Sequence, residues 1–330
     1  MIGTPHGGTD SGPAPRHDFS TNANALGPDP TALAALRAVD PAPYPDPAYR
    51  ALRERLADAH GAHPDAIVVG AGASELLLRI VRVLGGPVLA REAAFGEYRR
   101  VAEVAGRPVL RAGSADELLA LLPDAAVAFL GCPNNPDGRL IEPALAEALG
   151  AARGARVVVD LAYAVLARGH VQVPDGAWRL LSPGKALGVT GVRAAYLVAD
   201  PASGPALAAA APAWVLSVHG EALLRAALEP RSRDWVVRTR AVLWAWRDAL
   251  AEDLSALGRP VRVGAANFLL ADVGRAAPVA AALRAAGIRV RDATSFGLPA
   301  WLRLSAQAPG ARGDLVRALA PLVRKAGVAA

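Results

Sequence analysis

The chain has 330 residues, 53% of them hydrophobic, so it can bury a large core, and its length favours about two domains. No apolar run approaches the roughly 20 residues of a membrane-spanning helix, the N-terminus lacks a signal-peptide core, and a single cysteine, Cys132, excludes an internal disulfide. The net charge of +6 comes from arginines scattered among acidic residues, which argues against nucleic acid as a partner. We expect a cytoplasmic protein that binds neither membrane nor nucleic acid and, because no Cys/His cluster has metal-ligand spacing, no metal.

Short apolar runs recur along the first 200 residues. They predict strands at residues 66–70, 87–90, 107–110, 126–131, 156–160, 178–182 and 194–199. Continuous apolar runs are typical of strands that are buried on both faces. Helical patterns lie between several of them, as at 74–84 and 142–153. This alternation predicts an α/β fold with a mainly parallel, seven-stranded sheet and helices on both faces.

The pattern changes after about residue 204. A long amphipathic stretch at 231–257 predicts a helix that ends near Gly258. The segments that follow are a strand-like 261–273, a helix at 277–286, strand-like 288–294 and 301–307, and a final helix. This order predicts a second, smaller α+β domain. We divide the chain into an arm that packs with the small domain, a large domain and the small domain, at residues 1–40, 41–229 and 230–330.

One lysine stands out, Lys185 in the stretch LSPGKALGVTGVR at 181–193. The chain has only two lysines, the other being Lys325, against 34 arginines. Arginine serves equally well as a surface cation, but it cannot lose its proton near neutral pH and attack a carbonyl. A buried amine can, and Schiff-base chemistry requires one. Composition bias is the alternative explanation, and this residue alone leaves both open.

Polar or small residues follow four of the predicted strands, where an open α/β sheet binds its ligands. These positions are GAGASE at 70–75, CPNNPDG at 132–138, Asp160 with Tyr163, and Ser182 with Lys185 and Arg193. Taken singly, each has an ordinary structural explanation, such as a turn or a helix cap. Together they offer a lysine for an imine, a carboxylate for a ring nitrogen, donors for a phenolic oxygen and a cradle for a phosphate. The set indicates an aldehyde-bearing pyridine cofactor.

The order GAGASE, CPNNPDG, DLAY, SPGKALGVTGVR and WLRLS resembles the fold-type I pyridoxal-phosphate enzymes of the class I/II aminotransferase group over nearly the whole chain. The resemblance implies that fold and pyridoxal 5'-phosphate as cofactor. It implies catalytic roles for Lys185, which would form the imine, Asp160, which would pair with the ring nitrogen, and Tyr163. The other residues that it implies are Ala73, Ser74, Phe95, Asn135, Ser182 and Arg193 for the cofactor, and Arg303 for the substrate carboxylate.

The N-terminal third carries a closer resemblance. HGG at 6–8, DFSTNANALGP at 18–28 and YPDP at 44–47 are similar to L-threonine-O-3-phosphate decarboxylases of cobalamin synthesis. Histidinol-phosphate aminotransferases share NxNxLGP and YPxP, but generally not HGG or DFS. The resemblance implies a homodimer in which Tyr44 reaches the partner's cofactor phosphate. It also implies substrate contacts for Asn24 and, at a substrate phosphate, for His6 and Arg291.

Departures from the family pattern, such as Asp137 where threonine is usual and Gly184 before the lysine, leave the substrate open. We expect a decarboxylase, hence a lyase, acting on threonine phosphate in cobalamin synthesis or a specialised relative. A histidinol-phosphate-like aminotransferase is the alternative, because the same residues support either reaction. A nicotinamide-dependent Rossmann enzyme is a distant alternative. It would need an acidic residue after the next strand, but Arg91 stands there. The retained lysine argues against a non-catalytic binding protein.

Overall fold

The structure, a computed structural model, describes residues 7–324. Its strands are β1 (His17–Asp18), β2 (Ile67–Gly70), β3 (Val88–Arg91), β4 (Val109–Ala112), β5 (Val127–Gly131), β6 (Arg156–Asp160), β7 (Trp178–Leu181), β8 (Ala195–Val198), β9 (Val261–Val263), β10 (Phe268–Asp272), β11 (Ile288–Arg289), β12 (Arg291–Asp292) and β13 (Trp301–Ser305). Its α-helices are α1 (Pro30–Arg37), α2 (Arg50–His60), α3 (Ala73–Leu84), α4 (Glu97–Val104), α5 (Ala115–Leu121), α6 (Pro143–Ala151), α7 (Gly204–Ala209), α8 (Val218–Ala227), α9 (Pro230–Ala256), α10 (Ala276–Ala285) and α11 (Pro309–Arg324).

A seven-stranded sheet forms the larger part of the fold, in the order β2-β8-β7-β6-β5-β3-β4. Strand β8 is antiparallel to both neighbours, and the remaining pairs are parallel. Strands β2, β5, β6 and β7 therefore run in the same direction, and their carboxyl ends lie at the same edge of the sheet. The predicted α/β class and the mainly parallel, seven-stranded sheet are confirmed.

Helices cover both faces of this sheet, which explains why its strands are apolar at successive positions. Phe129 and Val158 pack in a cluster with side chains of α3 and α4. Their chain neighbours Leu130 and Val159 point the other way and pack with side chains of α5 and α6. Burial on both faces fixes the register of the strands, and thereby the positions of the residues that follow them.

The long helix α9 follows the predicted amphipathic pattern. Its buried positions recur every three or four residues, the spacing of a helix with one apolar face. They are Ser232, Val236, Thr239, Leu243, Arg247, Leu250 and Leu254. Pro230 occupies the first turn, where its missing N–H leaves no bond unmade. The chain leaves the helix at Gly258, whose φ of +74° suits glycine.

A second sheet of four antiparallel strands has the order β12-β13-β10-β9. The predicted strand-like segment 288–294 is divided here, because β11 pairs with β1 whereas β12 pairs with β13. The register places Arg291 of β12 directly opposite Arg303 of β13. With α9, α10 and α11 this sheet forms the predicted α+β part. The boundaries after residues 40 and 229 stay predictions.

Candidate active site

A cavity of about 290 Å³ lies at the carboxyl edge of the large sheet and extends to Arg291 and Arg303 of the second sheet. It brings together most of the residues that the sequence singled out. Those lining it are Ala73, Ser74, Phe95, Asn135, Asp160, Tyr163, Ser182, Lys185, Arg193, Arg291 and Arg303. They come from segments more than 200 residues apart, so the convergence is a property of the fold and not of any single motif.

Lys185 enters the cavity from the segment after β7. Its Nζ lies 5.7 Å from the centre of the Tyr163 ring. The backbone carbonyl of Lys185 accepts a hydrogen bond of 2.8 Å from the N–H of Asn24, which ties this segment to the N-terminal part of the chain. An amine at such a position can reach a ligand seated between the strand ends.

Asp160 ends β6 and is 8% exposed. Its Oδ1 accepts the Ala162 N–H at 3.0 Å, and its Oδ2 accepts the Tyr98 hydroxyl at 3.1 Å. Burial raises the pKa of Asp160, while these two hydrogen bonds and the charge of Lys185 lower it. A carboxylate buried in this way is costly unless a cation faces it. A protonated ring nitrogen of a ligand would meet that requirement.

Another set of residues at this cavity could hold an anion. Gly72 precedes α3 with a φ of +97°, and a Cβ there would come within 2.7 Å of the Arg193 guanidinium. Ala73 and Ser74 form the first turn of α3, whose free N–H groups favour negative charge. Ser182 and Arg193 line the same cavity. A helix N-terminus, hydroxyl groups and a guanidinium are the donors that phosphate groups bind.

An ion pair behind the cradle orders it. The Glu75 carboxylate accepts the Ala71 N–H at 3.1 Å and the Arg79 Nε at 2.8 Å. Arg79 is 4% exposed and also donates to the Val69 carbonyl at 3.1 Å. The carboxylate thus fixes the backbone that turns from β2 into α3, and Arg79 compensates its charge.

Two buried arginines of the second sheet also line the cavity. Arg303 is 4% exposed and donates to Asn135 Oδ1 at 2.5 Å and to the Ser20 carbonyl at 2.6 Å. Burial, and to a smaller extent the charge of Arg291, lower the pKa of Arg303 to about 10. Arg291 is 7% exposed, donates to Ser295 Oγ at 2.6 Å and lies 4.9 Å from the Phe296 ring centre. Burial also lowers the pKa of Arg291.

Two predicted residues, Asn24 and Tyr44, do not line this cavity. Asn24 is buried, and its side-chain amide donates to the Ala186 carbonyl and to Thr239 Oγ1, at 3.1 and 2.8 Å. Tyr44 is 78% exposed and stacks on Trp214 with ring centres 4.5 Å apart. His6 lies outside the described residues.

Asn22 and Tyr98 are among the lining residues that sequence reasoning missed. Asn22 stands two positions before Asn24 in the same motif and donates to the Tyr163 hydroxyl at 3.2 Å. The motif was the signal, but the path of the backbone decides which asparagine faces the cavity. Tyr98 lies three residues after Phe95, and only the folded chain brings its hydroxyl to Asp160.

The donors present fit pyridoxal phosphate: an amine for its aldehyde, a buried carboxylate for its ring nitrogen and a cradle for its phosphate. Fold and site together define a pyridoxal-phosphate enzyme of fold type I. The family model for class I and II aminotransferases matches residues 17–322. The chain belongs to this family, and it is a pyridoxal-phosphate-dependent aminotransferase.

Curated relatives agree with this assignment. The chain is 33% identical over 310 residues to the histidinol-phosphate aminotransferase of Ruegeria pomeroyi, covering 87% of this chain and 85% of the relative. It is 34% identical over 328 residues to that of Symbiobacterium thermophilum, covering 92% and 90%.

Solved structures share the fold. The histidinol-phosphate aminotransferase of Sinorhizobium meliloti, determined with pyridoxal-5'-phosphate, superposes with a TM-score of 0.85 at 24% identity, covering 95% of this chain and 92% of that one. The enzyme of Clostridium acetobutylicum gives 0.82 at 20% identity, covering 94% and 99%. In the described part of this chain, no helix is long and apolar enough to cross a bilayer.

These findings correct the expected reaction. The prediction of a threonine-phosphate decarboxylase, with its lyase and cobalamin assignments, is wrong, because the relatives are aminotransferases named for histidinol phosphate. The nicotinamide-dependent alternative fails for the same reason. The motifs behind the error are HGG at residues 6–8 and DFS at 18–20, whereas the residues proposed for the cofactor support either reaction.

Proposed function

We propose that this aminotransferase takes the amino group from histidinol phosphate, or from a closely similar phosphorylated amine, and passes it to an oxo acid. The names of its relatives support this substrate. The observation that carries the proposal is the pair of buried arginines, Arg291 and Arg303, which stand opposite each other on neighbouring strands and line one cavity.

Two buried guanidinium groups that line one cavity suit a ligand with more than one negative charge. A phosphate monoester carries about −1.5 to −2 charges at pH 7 and accepts several hydrogen bonds. We assign the phosphate of the substrate to Arg291 and Arg303 together.

This assignment changes the role expected for Arg303. The sequence suggested that Arg303 binds a substrate carboxylate, but histidinol phosphate has an amine, an imidazole and a phosphate and no carboxylate. The oxo acid of the second half-reaction does carry one, and a planar guanidinium binds a carboxylate and a phosphate equally well. In this proposal the same two arginines serve both substrates in turn.

The cofactor would be held by the cavity residues Lys185, Asp160 and Phe95. Bound there, pyridoxal phosphate supplies an aldehyde that takes up the amine of the substrate and a ring that withdraws electrons from the neighbouring carbon. Lys185 would hold and return the proton of that carbon. Asp160 would keep the ring nitrogen protonated, and Phe95 would stack on the ring.

Two further groups of donors would hold the cofactor in place. The Tyr163 hydroxyl accepts from Asn22, so its own proton is free to reach the phenolic oxygen. Asn135 uses its carbonyl oxygen on Arg303, which leaves its N–H groups for the same oxygen. The residues for the phosphate are Ala73, Ser74, Ser182 and Arg193.

We also propose a homodimer. Tyr44 lies between Pro43 and Pro45, which stiffen the backbone, and presents an exposed ring stacked on the half-exposed Trp214. An exposed aromatic pair of this kind suits an interface. Tyr44 would then reach the cofactor phosphate of the partner subunit.

A half-reaction tests the proposed substrate. The holoenzyme is mixed with histidinol phosphate and no oxo acid, and the visible absorbance of the bound cofactor is followed. We expect rapid loss of that absorbance and one equivalent of carbonyl product. L-Threonine O-phosphate serves as the comparison, and histidinol without phosphate as the control. Faster conversion of histidinol than of its phosphate would contradict the assignment of the phosphate to Arg291 and Arg303.

A further inference from the structure

The hydroxyl of Tyr98 is the one side-chain donor to Asp160 among the described residues. Tyr98 lies in the first turn of α4 and is 1% exposed. Its ring is fixed by Phe129, at 5.4 Å between ring centres, and by the edge of Phe95, at 5.6 Å. The hydroxyl donates to Asp160 Oδ2 at 3.1 Å. Packing therefore places the ring, while the oxygen makes one specific bond to a carboxylate.

The local backbone leaves room for this bond. Gly131 ends β5 beside the hydroxyl, and a Cβ at that position would lie 3.4 Å from the Tyr98 oxygen. The other oxygen of Asp160 is held by the Ala162 N–H. Each carboxylate oxygen thus has one donor from the protein. The carboxylate cannot rotate without breaking both bonds, and each oxygen keeps a lone pair for a further donor.

Two titratable groups of the described residues act on this carboxylate. They are Tyr98 from α4 and Lys185 from the segment after β7, while Tyr163, from the turn after β6, acts on the Tyr98 hydroxyl. Burial opposes the charge of Asp160, and the Tyr98 hydroxyl is among the few groups that favour it. The reciprocal effect is visible on Tyr98, because burial and the neighbouring carboxylate raise the pKa of its hydroxyl well above the ordinary value. The tyrosine therefore stays a donor at every physiological pH.

We propose that Tyr98 is a positioning residue whose hydroxyl keeps the Asp160 carboxylate ionised and aimed at the ring nitrogen of the bound cofactor. The inference rests on the proposed role of Asp160. It assigns Tyr98 no contact with substrate. The side chain acts only through the carboxylate, so its loss should resemble a partial loss of Asp160 itself.

Tyr98→Phe tests the proposal, because it removes one oxygen and keeps the ring between Phe129 and Phe95. Tyr196→Phe is the matched control. Tyr196 is also buried and bonds one side chain, His60, at 2.9 Å, but it does not line the cavity. We expect kcat to fall about tenfold to a hundredfold in Tyr98→Phe with little change in KM, as for a lost hydrogen bond to a charged group. The control should keep both constants.

Two further readouts separate positioning from packing. A carboxylate that loses a donor to its charged form binds a proton more readily, so the acid limb of kcat should move to higher pH in Tyr98→Phe. In the cofactor-free protein, the infrared band of a protonated carboxyl group should appear at higher pH in Tyr98→Phe than in wild type. Its absence from the Tyr98→Phe/Asp160→Asn double variant would assign the band to Asp160.

A cofactor analogue with carbon in place of the ring nitrogen closes the test. Wild type and Tyr98→Phe should turn over equally slowly with this analogue, because it has no ring nitrogen for the Asp160 carboxylate to bind. If a stably folded Tyr98→Phe variant shows the same acid limb of kcat and the same infrared titration as wild type, the proposal is overturned. A fully active Asp160→Asn variant, together with a shifted infrared titration in Tyr98→Phe, would refute the proposed role of Asp160. The same result would leave the effect of Tyr98 on the carboxylate intact.

Discussion

Replacing Arg291 by methionine should weaken the use of a phosphorylated substrate about tenfold and barely affect its unphosphorylated analogue. Methionine keeps an apolar stem against Phe296, where the Arg291 guanidinium lies 4.9 Å from the ring centre. The change therefore removes the charge and its hydrogen bonds with little loss of packing. Because the site is proposed to hold one phosphate between two arginines, only a phosphorylated substrate should be used less efficiently by the variant.

The magnitude follows from what remains after the substitution. A hydrogen bond to a charged group contributes about 1.5–3 kcal/mol, which corresponds to roughly tenfold to a hundredfold in affinity. Arg303 still faces the phosphate. Because this second guanidinium still binds the phosphate in the variant, we place the expected loss at the lower end of the range.

The assay compares kcat/KM for histidinol phosphate with kcat/KM for histidinol, in wild type and variant. Arg247→Met is the matched control, because Arg247 is also buried, at 3% exposure, but donates to the carbonyls of Gly264 and Ala266 and does not line the cavity. The control should lower thermal stability and leave the ratio of the two constants unchanged. Equal losses for both substrates in Arg291→Met would refute the reasoning and reduce Arg291 to a structural residue.

Three further outcomes are expected. Lys185→Arg should keep the fold and lose all turnover, and borohydride should no longer fix the cofactor to the protein; normal turnover would exclude the Schiff base. Mixing inactive Lys185→Ala chains with inactive Tyr44→Ala chains should restore some activity, because a hybrid dimer has one intact shared site; no recovery despite proven exchange would remove Tyr44 from the partner's site. Burial and the nearby Arg179 and Arg233 lower the pKa of His60 to about 4 from its ordinary 6.5. As the pH drops, the unfolded chain therefore binds a proton at this histidine before the folded chain does. The free energy of unfolding should fall between about pH 6.5 and pH 4. Urea unfolding at pH 7 and pH 5 should therefore show a smaller loss for His60→Gln than for wild type, and equal losses would contradict this.

The large sheet was predictable because its strands are buried on both faces and so stand out as apolar runs. Each of the seven predicted segments overlaps one of its strands. The segment at 288–294 was harder, since two strands pair with different partners inside it. A break of one residue at Val290 sends β11 to the N-terminal β1 and β12 to β13. Nothing in the local pattern of side chains specifies such a change of partner.

That the residues proposed for the cofactor would line one cavity was predictable for a related reason. The carboxyl ends of parallel strands lie at the same edge of a sheet. Asp160 and the residues that follow β5 and β7 were therefore expected to lie near one another. Asn24 and Asn22 were not separable in this way, because they stand in one irregular segment whose backbone path decides which of them faces the cavity. Tyr98 needed even more, since its hydroxyl meets a carboxylate 62 residues further along the chain.

The reaction was mispredicted because HGG and DFS were given too much weight, and the roles of the two arginines were mispredicted because the sequence could not pair them. With Arg303 and Arg291 taken separately, each could be given its own anion, a carboxylate and a phosphate, which fits an amino acid that carries both. The antiparallel register of β12 and β13 puts them opposite each other instead, and cross-strand neighbours of this kind have Cβ atoms only about 5 Å apart. In the proposed function this pair binds one shared, doubly charged group. The proposed substrate, with a phosphate and no carboxylate, meets that condition, and in the same proposal the oxo acid takes its place once the first product has left.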